Sequence, residues 1–302
     1  MVTSKVSERV HLIDTEALGQ SNTVAVYVVR GTSKTALVDC GYASSTGAVL
    51  AGLAHIGVPP EEIDFIIPTH VHLDHGGAAG HLVTKMPRAR IFAQERGVPH
   101  LVDPTRLVDS ATRLFGAEAI RRFGAPLPIS AEKITPVGEE AHLDLGGVSL
   151  TAIHSPGHAP HQLSVLVEED RLLLTADAVG IVYPNVGTLI PVTPPPSFNP
   201  QELAATTRKL EQMDSKALLV PHYGVRQDVS SVFEATRTKT ERWTGRVREM
   251  KKASLTLDEM VDSLTTEVLH ETGLQADRFP GYASTSIMVT VKGILHYLEK
   301  NP

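Results

Sequence analysis

Short runs of apolar and β-branched residues recur along most of the chain, and turn residues separate them. The runs cover residues 10–13, 23–29, 36–39, 64–68, 90–93, 148–153, 162–167, 171–175 and 217–220. In the second run Val24, Val26 and Val28 alternate with other residues, which is the period of two expected for a strand. The pattern therefore predicts nine β-strands.

Apolar residues with helical spacing lie between these strands and after them. They cover residues 43–56, 78–86, 201–213, 232–252 and 288–300. The first of these helices is closed by Gly57 with Pro59 beyond it. Thr256 and Glu259 form a capping box that opens a further helix. Residues 95–132 carry helical segments broken by proline and glycine, and we interpret them as an inserted lid or side wall.

Composition and charge narrow the class of protein. Of the 302 residues, 42% are hydrophobic and 21% are charged, as in ordinary globular proteins. The net charge of −6 provides no global basic footprint, which argues against nucleic acid as the partner. The N-terminus has no apolar signal core, and no apolar run is long enough to span a membrane. The single cysteine, Cys40, cannot form an internal disulfide, so we expect a cytoplasmic protein.

Residues 69–77 carry the densest group of metal-ligating side chains. His70, His72, Asp74 and His75 fall within six residues, directly after an apolar run. A lone histidine is usually a surface or core residue, but a group this dense after a buried strand rarely arises by chance. Imidazole and carboxylate together suit zinc, iron or manganese, whereas calcium takes oxygen ligands. The spacing lets the first two histidines face one side of an extended turn and the other two residues the opposite side. This favours two adjacent metal sites.

Residues 70–75, with the sequence His-Val-His-Leu-Asp-His, resemble the HxHxDH signature of the metallo-β-lactamase fold superfamily. Its members include glyoxalase II, lactonases, ribonuclease Z and persulfide dioxygenases. The resemblance extends over residues 6–225 and implies an α/β (α+β) fold, a four-layer αββα sandwich, with a helical C-terminal extension. Because the chain turns helical from residue 229, we predict a metallo-β-lactamase-like domain of residues 1–228 and a helical extension of residues 229–302.

The same resemblance implies the remaining metal ligands in family order. Residues 155–158, Ser-Pro-Gly-His, are similar to the family's T-P-G-H element, and His222 follows the last predicted core strand. Asp177 ends an apolar strand, where a carboxylate is costly unless it is paired or metal-bound. The implied sets are His70, His72 and His158 on one metal and Asp74, His75 and His222 on the second, with Asp177 bridging them. The implied cofactors are two divalent cations, zinc in the first place, with iron or manganese as alternatives.

Five further residues accompany these motifs. Asp39 follows a strand and either caps the turn or, as in the family's Asp-x-Gly element, orients a ligand histidine. His154 is a candidate to support the ligands from behind, and His161 either lines the pocket or hydrogen-bonds its own loop. Tyr183 and Tyr223 are candidate donors to a substrate or an oxyanion, with ordinary packing as the alternative for each.

The resemblance implies a hydrolase in which a metal-bridging hydroxide cleaves a small ester, thioester or lactone. Asp74 or Asp177 would pass the proton to the leaving group. No cysteine stands at a ligand position, unlike in common zinc β-lactamases, and Gly180 replaces the tyrosine of quorum-sensing lactonases. His72 stands where flavodiiron proteins have glutamate. A glyoxalase II-like enzyme acting on a small molecule fits these departures best.

Two other functions stay open on the sequence. A persulfide dioxygenase-like oxidoreductase would bind one iron through two histidines and an aspartate in the same scaffold. A phosphodiesterase or nuclease would use the same hydroxide, and the seven basic residues within 232–252 are its local support, although such a run is usually a solvated helix face. The helical tail is a candidate to cover the pocket or to contact a second subunit, so a homodimer is an alternative to a monomer.

Overall fold

A computed structural model describes residues 3–301. The chain divides into two compact units. The first unit takes in the chain up to His154 together with His161–Ala176 and Lys216–Val225. The second takes in Ser155–Pro160, Asp177–Ser215 and the chain from Arg226 onward. The predicted division at residue 228 stays a prediction.

The first sheet has seven strands, which lie side by side in chain order. They are β1 (Thr3–Lys5), β2 (Val10–Asp14), β3 (Ala25–Arg30), β4 (Thr35–Val38), β5 (Ile63–Ile67), β6 (Arg90–Gln94) and β7 (Ile134–Val137). Strands β1 to β4 pair antiparallel, and β4 to β7 pair parallel. Strands β4 and β5 therefore end at the same edge, where Asp39 and the His70–His75 segment leave the sheet.

The second sheet has six strands in the order β13-β12-β11-β10-β9-β8. They are β8 (Glu140–Asp144), β9 (Ser149–His154), β10 (Leu163–Val167), β11 (Leu172–Leu174), β12 (Ala217–Val220) and β13 (Gly224–Arg226). Strand β10 is antiparallel to β9 and to β11, and β11 is parallel to β12. Strands β9, β11 and β12 thus run in one direction, and the chain leaves all three at the same edge of the sheet.

The core of the first unit has two layers on opposite faces of the first sheet. Tyr27 and Val29 of β3 belong to a buried cluster that includes Leu150 and Val165 of the second sheet. Their neighbours Val26 and Val28 belong to a cluster on the opposite face, which includes residues of three helices. The strand period of two sends successive side chains to opposite faces, so an almost wholly apolar strand can serve both layers.

Six α-helices lie in the described part of the first unit. They are α1 (Thr46–His55), α2 (Leu73–Gly76), α3 (Ala79–Val83), α4 (Val98–Val102), α5 (Thr105–Phe115) and α6 (Ala117–Phe123). Leu53 of α1 and Leu82 of α3 join the cluster on the outer face of the first sheet. Helix α2 is a single turn that carries Asp74 and His75 of the candidate metal motif.

The second unit is helical and has its own core. Its helices are α7 (Pro200–Glu211), α8 (Val229–Lys252), α9 (Leu257–Thr272) and α10 (Gly281–Lys300). Trp243, Leu264 and Ile287 are fully buried and bring α8, α9 and α10 together. The predicted capping box forms at Thr256, whose hydroxyl accepts the Glu259 backbone N–H. None of the helices within residues 3–301 has both the length and the apolar character of a membrane span.

Two sheets and a helical C-terminal part confirm the predicted fold class. All nine predicted strands are present, with ends shifted by at most two residues. Four strands were not predicted, and they are β1, β7, β8 and β13, the outermost strands of the two sheets. Their patterns are polar, as in Thr3–Lys5, or include proline, as in Ile134–Val137. Edge strands bury less surface, and they are where proline is tolerated in a sheet, so the apolar signal is weak there. The helix predicted over residues 78–86 is shorter in the structure, where α3 ends at Val83.

Two helical glycines of the second unit offer a matched pair of stability tests. A Cβ on Gly293 of α10 would overlap the carbonyl oxygen of Thr193, whereas a Cβ on Gly245 of α8 meets no atom within 4 Å. We expect Gly293→Ala to destabilise the protein by about 1–3 kcal/mol through overpacking. Gly245→Ala should stabilise it by about 0.5–1 kcal/mol, because alanine loses less backbone entropy in a helix.

Urea unfolding of both variants and of the parent protein measures whether each substitution raises or lowers the free energy of unfolding. Equal effects of the two substitutions would show that α10 does not approach the Thr193 backbone as described.

Candidate metal centre

Asp39 is buried at the shared carboxyl edge of β4 and β5, where it contacts the metal motif. Its Oδ1 accepts the backbone N–H of Thr69 at 2.8 Å and the Thr69 hydroxyl at 2.7 Å. Its Oδ2 accepts from Nδ1 of His75 at 2.9 Å. The parallel pairing of the two strands brings these residues together, although thirty or more positions separate them in the chain. The structure thus places Asp39 against a histidine of the motif, as the orienting role requires.

His75, His222 and Asp74 bring three donor atoms to one point. Nε2 of His75 lies 3.2 Å from Nε2 of His222, and Oδ2 of Asp74 lies 3.4 Å and 3.7 Å from these His222 and His75 atoms. Zinc–nitrogen bonds of about 2.0–2.1 Å in a tetrahedron place two ligands about 3.4 Å apart. The edges of this triangle therefore suit three ligands of one metal ion.

The outer nitrogens of both histidines are engaged with oxygens that only accept hydrogen bonds. Nδ1 of His75 faces the Asp39 carboxylate, and Nδ1 of His222 lies 2.9 Å from the carbonyl oxygen of Thr23. Each Nδ1 must therefore donate, so in the neutral imidazoles each Nε2 carries a lone pair. Two lone pairs 3.2 Å apart repel each other unless a cation lies between them. An outer N–H donated to a carboxylate or carbonyl is also the usual environment of a metal-bound histidine.

His70 and His72 form a second histidine group on the same loop. Nε2 of His70 lies 2.9 Å from Nδ1 of His72, and the His70 ring lies 4.1 Å from the His75 ring. The ring of His161 stacks on His70 at 6.3 Å and stands edge-on to His72 at 5.8 Å. His100 of α4 lies edge-on to His161 at 6.1 Å. Of the two interpretations of His161, these contacts favour the one in which it lines the site.

His158 and Asp177 face each other in the second unit. Nε2 of His158 lies 3.4 Å from Oδ2 of Asp177, the same spacing that the ligands of one metal ion adopt. Nδ1 of His158 lies 3.2 Å from the carbonyl oxygen of Val192. Both side chains are buried. The pair therefore repeats the pattern of the first unit, in which the outer nitrogen meets a carbonyl and the inner one meets another candidate ligand.

The other three predicted residues, His154, Tyr183 and Tyr223, contact residues outside the candidate ligand sets. Nδ1 of His154 lies 3.2 Å from Oε1 of Glu139. The Tyr183 hydroxyl lies 3.2 Å from Oγ of Ser286, within the core of the second unit. Burial and the Asp14 carboxylate raise the pKa of Tyr223. These contacts support the packing alternative for both tyrosines.

Cys40 is also a packing residue. It is fully buried, and burial together with the Asp39 carboxylate raises the pKa of its thiol well above the usual range.

Three residues that contact the candidate site residues were not predicted from the sequence. Thr69 binds Asp39 twice, and its position directly before His70 was an available signal. His100 lies on the helix after β6, about thirty residues from the motif, and a lone histidine there carries no signal. Thr23 contributes only a backbone oxygen, and no side-chain motif can reveal such a contact.

Known proteins resemble this chain over about half of its length. The chain is 31% identical to the metallo-beta-lactamase fold-containing protein ST1585 of Sulfurisphaera tokodaii, over 56% of this chain and 61% of that protein. It is 30% identical to coenzyme F420H(2) oxidase of Methanothermobacter marburgensis, over 53% of this chain and 35% of that protein. It is 29% identical to the N-acyl homoserine lactonase AttM of Azorhizobium caulinodans, over 43% of this chain and 46% of that protein. The matched segments thus span less than two thirds of these relatives' own lengths.

Solved structures share the fold at low sequence identity. The crystal structure of ST1585 from Sulfolobus tokodaii superposes with a TM-score of 0.71 at 22% identity, covering 96% of this chain and 99% of that one. The metallo-beta-lactamase family protein TTHA1429 from Thermus thermophilus gives a TM-score of 0.65 at 22% identity, covering 92% of this chain and 89% of that one. These similarities confirm the predicted fold.

The sequence profile described as the metallo-beta-lactamase superfamily matches residues 21–222, which is more than half of the chain. The match begins just before the Thr23 carbonyl and ends at His222, so all the candidate ligands fall within it. The chain therefore belongs to the metallo-beta-lactamase superfamily.

Proposed function

We propose that the protein is a binuclear metal-dependent hydrolase, glyoxalase II-like in its chemistry, that cleaves a small ester, thioester or lactone. The observation that carries this proposal is the convergence of Asp74, His75 and His222, where two imidazole lone pairs and a carboxylate meet. Ester-type cleavage also occurs among the relatives, since one of them is an N-acyl homoserine lactonase.

The proposed ligand sets are the ones that the sequence implies. His70, His72 and His158 would hold one metal, and Asp74, His75 and His222 the other, with Asp177 between them. Two parts of these sets are supported within the first unit, where His70 lies beside His72 and where Asp74, His75 and His222 converge. A third is supported within the second unit, where His158 lies beside Asp177.

The donor chemistry suits zinc, with iron or manganese as alternatives. Imidazole nitrogens and carboxylate oxygens are ligands that all three metals accept. When bound, two such cations would lower the pKa of a water molecule and polarise the substrate carbonyl.

The two catalytic aspartates differ in exposure, and this separates their proposed roles. The Asp74 side chain is 24% exposed, whereas that of Asp177 is 6% exposed. A proton carrier must reach the leaving group, so Asp74 is the better candidate for that step. Asp177 is enclosed, as a bridging ligand is. Asp39 holds the His75 ring and keeps its proton on Nδ1.

Part of the basic character of the helix that offered support for a nuclease is used within the second unit. Three of its seven basic residues form ion pairs within the second unit, namely Arg237 with Glu211, Lys239 with Glu271 and Arg242 with Glu267. Burial lowers the pKa of Lys239, although Glu271 opposes this shift. Charges that are already paired attract phosphate weakly, so these three residues add little support for a nuclease.

An oxidase is the second candidate function, because a relative with 30% identity is a coenzyme F420H(2) oxidase. A persulfide dioxygenase-like centre with one iron would leave much of the donor set unused. Metal analysis with an oxygen-uptake assay separates the candidates. Hydrolysis of an ester, thioester or lactone without oxygen uptake supports the hydrolase, and iron-dependent oxygen uptake without hydrolysis contradicts it.

We expect elemental analysis of protein purified without chelator to approach two metal ions per chain. His222→Ala should reduce this to about one, because it removes one of three ligands from the second site. The exposed His55→Ala is the control and should leave the metal content unchanged. A parent value of one that His222→Ala does not change would contradict the binuclear proposal.

Asp39→Asn should weaken metal binding by about 10–100-fold, because the amide holds the His75 ring and its tautomer less well than the carboxylate. Competition with a chromogenic chelator measures this affinity. Asp64→Asn is a matched control, since Asp64 likewise accepts a backbone N–H at a strand, from Thr35 at 2.9 Å. Equal affinities of the two variants would show that Asp39 acts only on folding.

Asp177→Asn should lower kcat/KM by about 100-fold or more while the fold persists, because an amide is a poor bridging ligand. Hydrolysis rates and metal content are measured on the same preparation. Asp109→Asn, at an exposed position of α5, controls for the loss of one negative charge. Turnover of Asp177→Asn equal to the parent's would show that Asp177 is structural.

A further inference from the structure

A cleft of about 390 Å³ opens in the first unit where the β2–β3 loop meets the start of α1. Its lining residues are Thr15, Glu16, Leu18, Gly19, Ser44, Ser45, Ala48 and Arg122. Pockets that bind small molecules begin at about 300 Å³, so the cleft can hold one. None of these residues belongs to the proposed ligand sets, and the proposed hydrolase leaves the cleft without a role.

Three hydrogen-bond donors of the cleft have no protein acceptor. Within residues 3–301, the Arg122 guanidinium forms neither a hydrogen bond nor an ion pair, and the Ser44 and Ser45 hydroxyls form no hydrogen bond. Ser45 is only 4% exposed, so its hydroxyl has little access to water except through the cleft. A ligand in the cleft that accepts from this hydroxyl would take the place of that water.

The start of α1 adds a favourable field for negative charge. Ser45 is the N-cap residue, but its side chain makes no capping bond, and no acidic residue lies in the first turn of this ten-residue helix. The N–H groups of Ser45 and Thr46 donate to the carbonyl oxygens of Tyr42 and Ala43, but no acidic side chain in the first turn offsets the partial positive charge of this helix end. Anions bind favourably at such a terminus, especially beside an arginine.

We infer that this cleft binds the anionic group, a carboxylate or a phosphate, of a small molecule. Arg122 supplies the charge, and the two serine hydroxyls supply further donors. The Glu16 carboxylate also lines the cleft and disfavours a multiply charged anion near it, so a single compact anionic group fits best.

Amide chemical shifts test binding without any turnover. Metal-loaded protein is titrated separately with inorganic phosphate and with acetate, and the shifts of residues 44–48 are followed. We expect saturable shifts there with at least one of the two anions, which also identifies the preferred group. Arg122→Gln should weaken this binding by about tenfold or more, and Arg122→Lys should retain part of it.

Arg121→Gln is the matched control, because Arg121 is also exposed, adjacent in sequence, and paired with Glu118. It removes the same charge from the same helix and should leave binding unchanged. Binding that Arg121→Gln and Arg122→Gln weaken equally, or the absence of saturable shifts at tens of millimolar anion, would overturn the inference. Shifts confined to residues 70–75 would do the same, since they would report the metal centre.

Discussion

The candidate centre depends on keeping two imidazole nitrogens unprotonated and face to face. Asp39 and the Thr23 carbonyl each accept the proton of an outer nitrogen in a hydrogen bond, so the inner lone pairs of His75 and His222 meet at 3.2 Å. Such an arrangement stores electrostatic repulsion that a cation relieves. The buried Asp39 carboxylate is itself stabilised by three hydrogen bonds, two of them from Thr69. Without those donors its desolvation would be unfavourable.

The sheets provide the rigidity that this arrangement needs. Asp39 and the motif loop leave neighbouring parallel strands, so their separation is set by the strand spacing rather than by loop conformation. His222 follows β12 of the other sheet, and the Ala25 N–H binds the neighbouring Pro221 carbonyl at 2.9 Å. The inner faces of the two sheets share one buried apolar cluster. Close packing in that cluster leaves little freedom for the ligands to drift apart.

The second unit contributes to the proposed chemistry through two short segments. His158 and Asp177 lie close to chain positions where the path passes between the two units. Their mutual spacing of 3.4 Å is established within the second unit alone. The helices of this unit carry their own core and pair many of their charges internally. The second unit therefore has its own buried core, and three basic residues of α8 form ion pairs within it.

The sequence by itself determined the interior strands, the His70–His75 motif and the membership of a metal-binding superfamily. Apolar runs encode burial locally, because a strand covered on both faces must be apolar at nearly every position. Candidate ligands that lie within six residues of one another can likewise be recognised from the sequence alone. The capping box at Thr256 and Glu259 is another local sequence motif, and the structure contains it at the predicted position.

Only the tertiary structure decided the rest. The four edge strands bury too little to show an apolar pattern, and the two roles of Asp39 could be separated only once Thr69 and His75 were placed beside it. The contact of His161 with His70, the Thr23 carbonyl behind His222 and the cleft between Ser45 and Arg122 each join residues far apart in the chain. Such contacts depend on strand order and register, and no local pattern encodes which distant segments become neighbours.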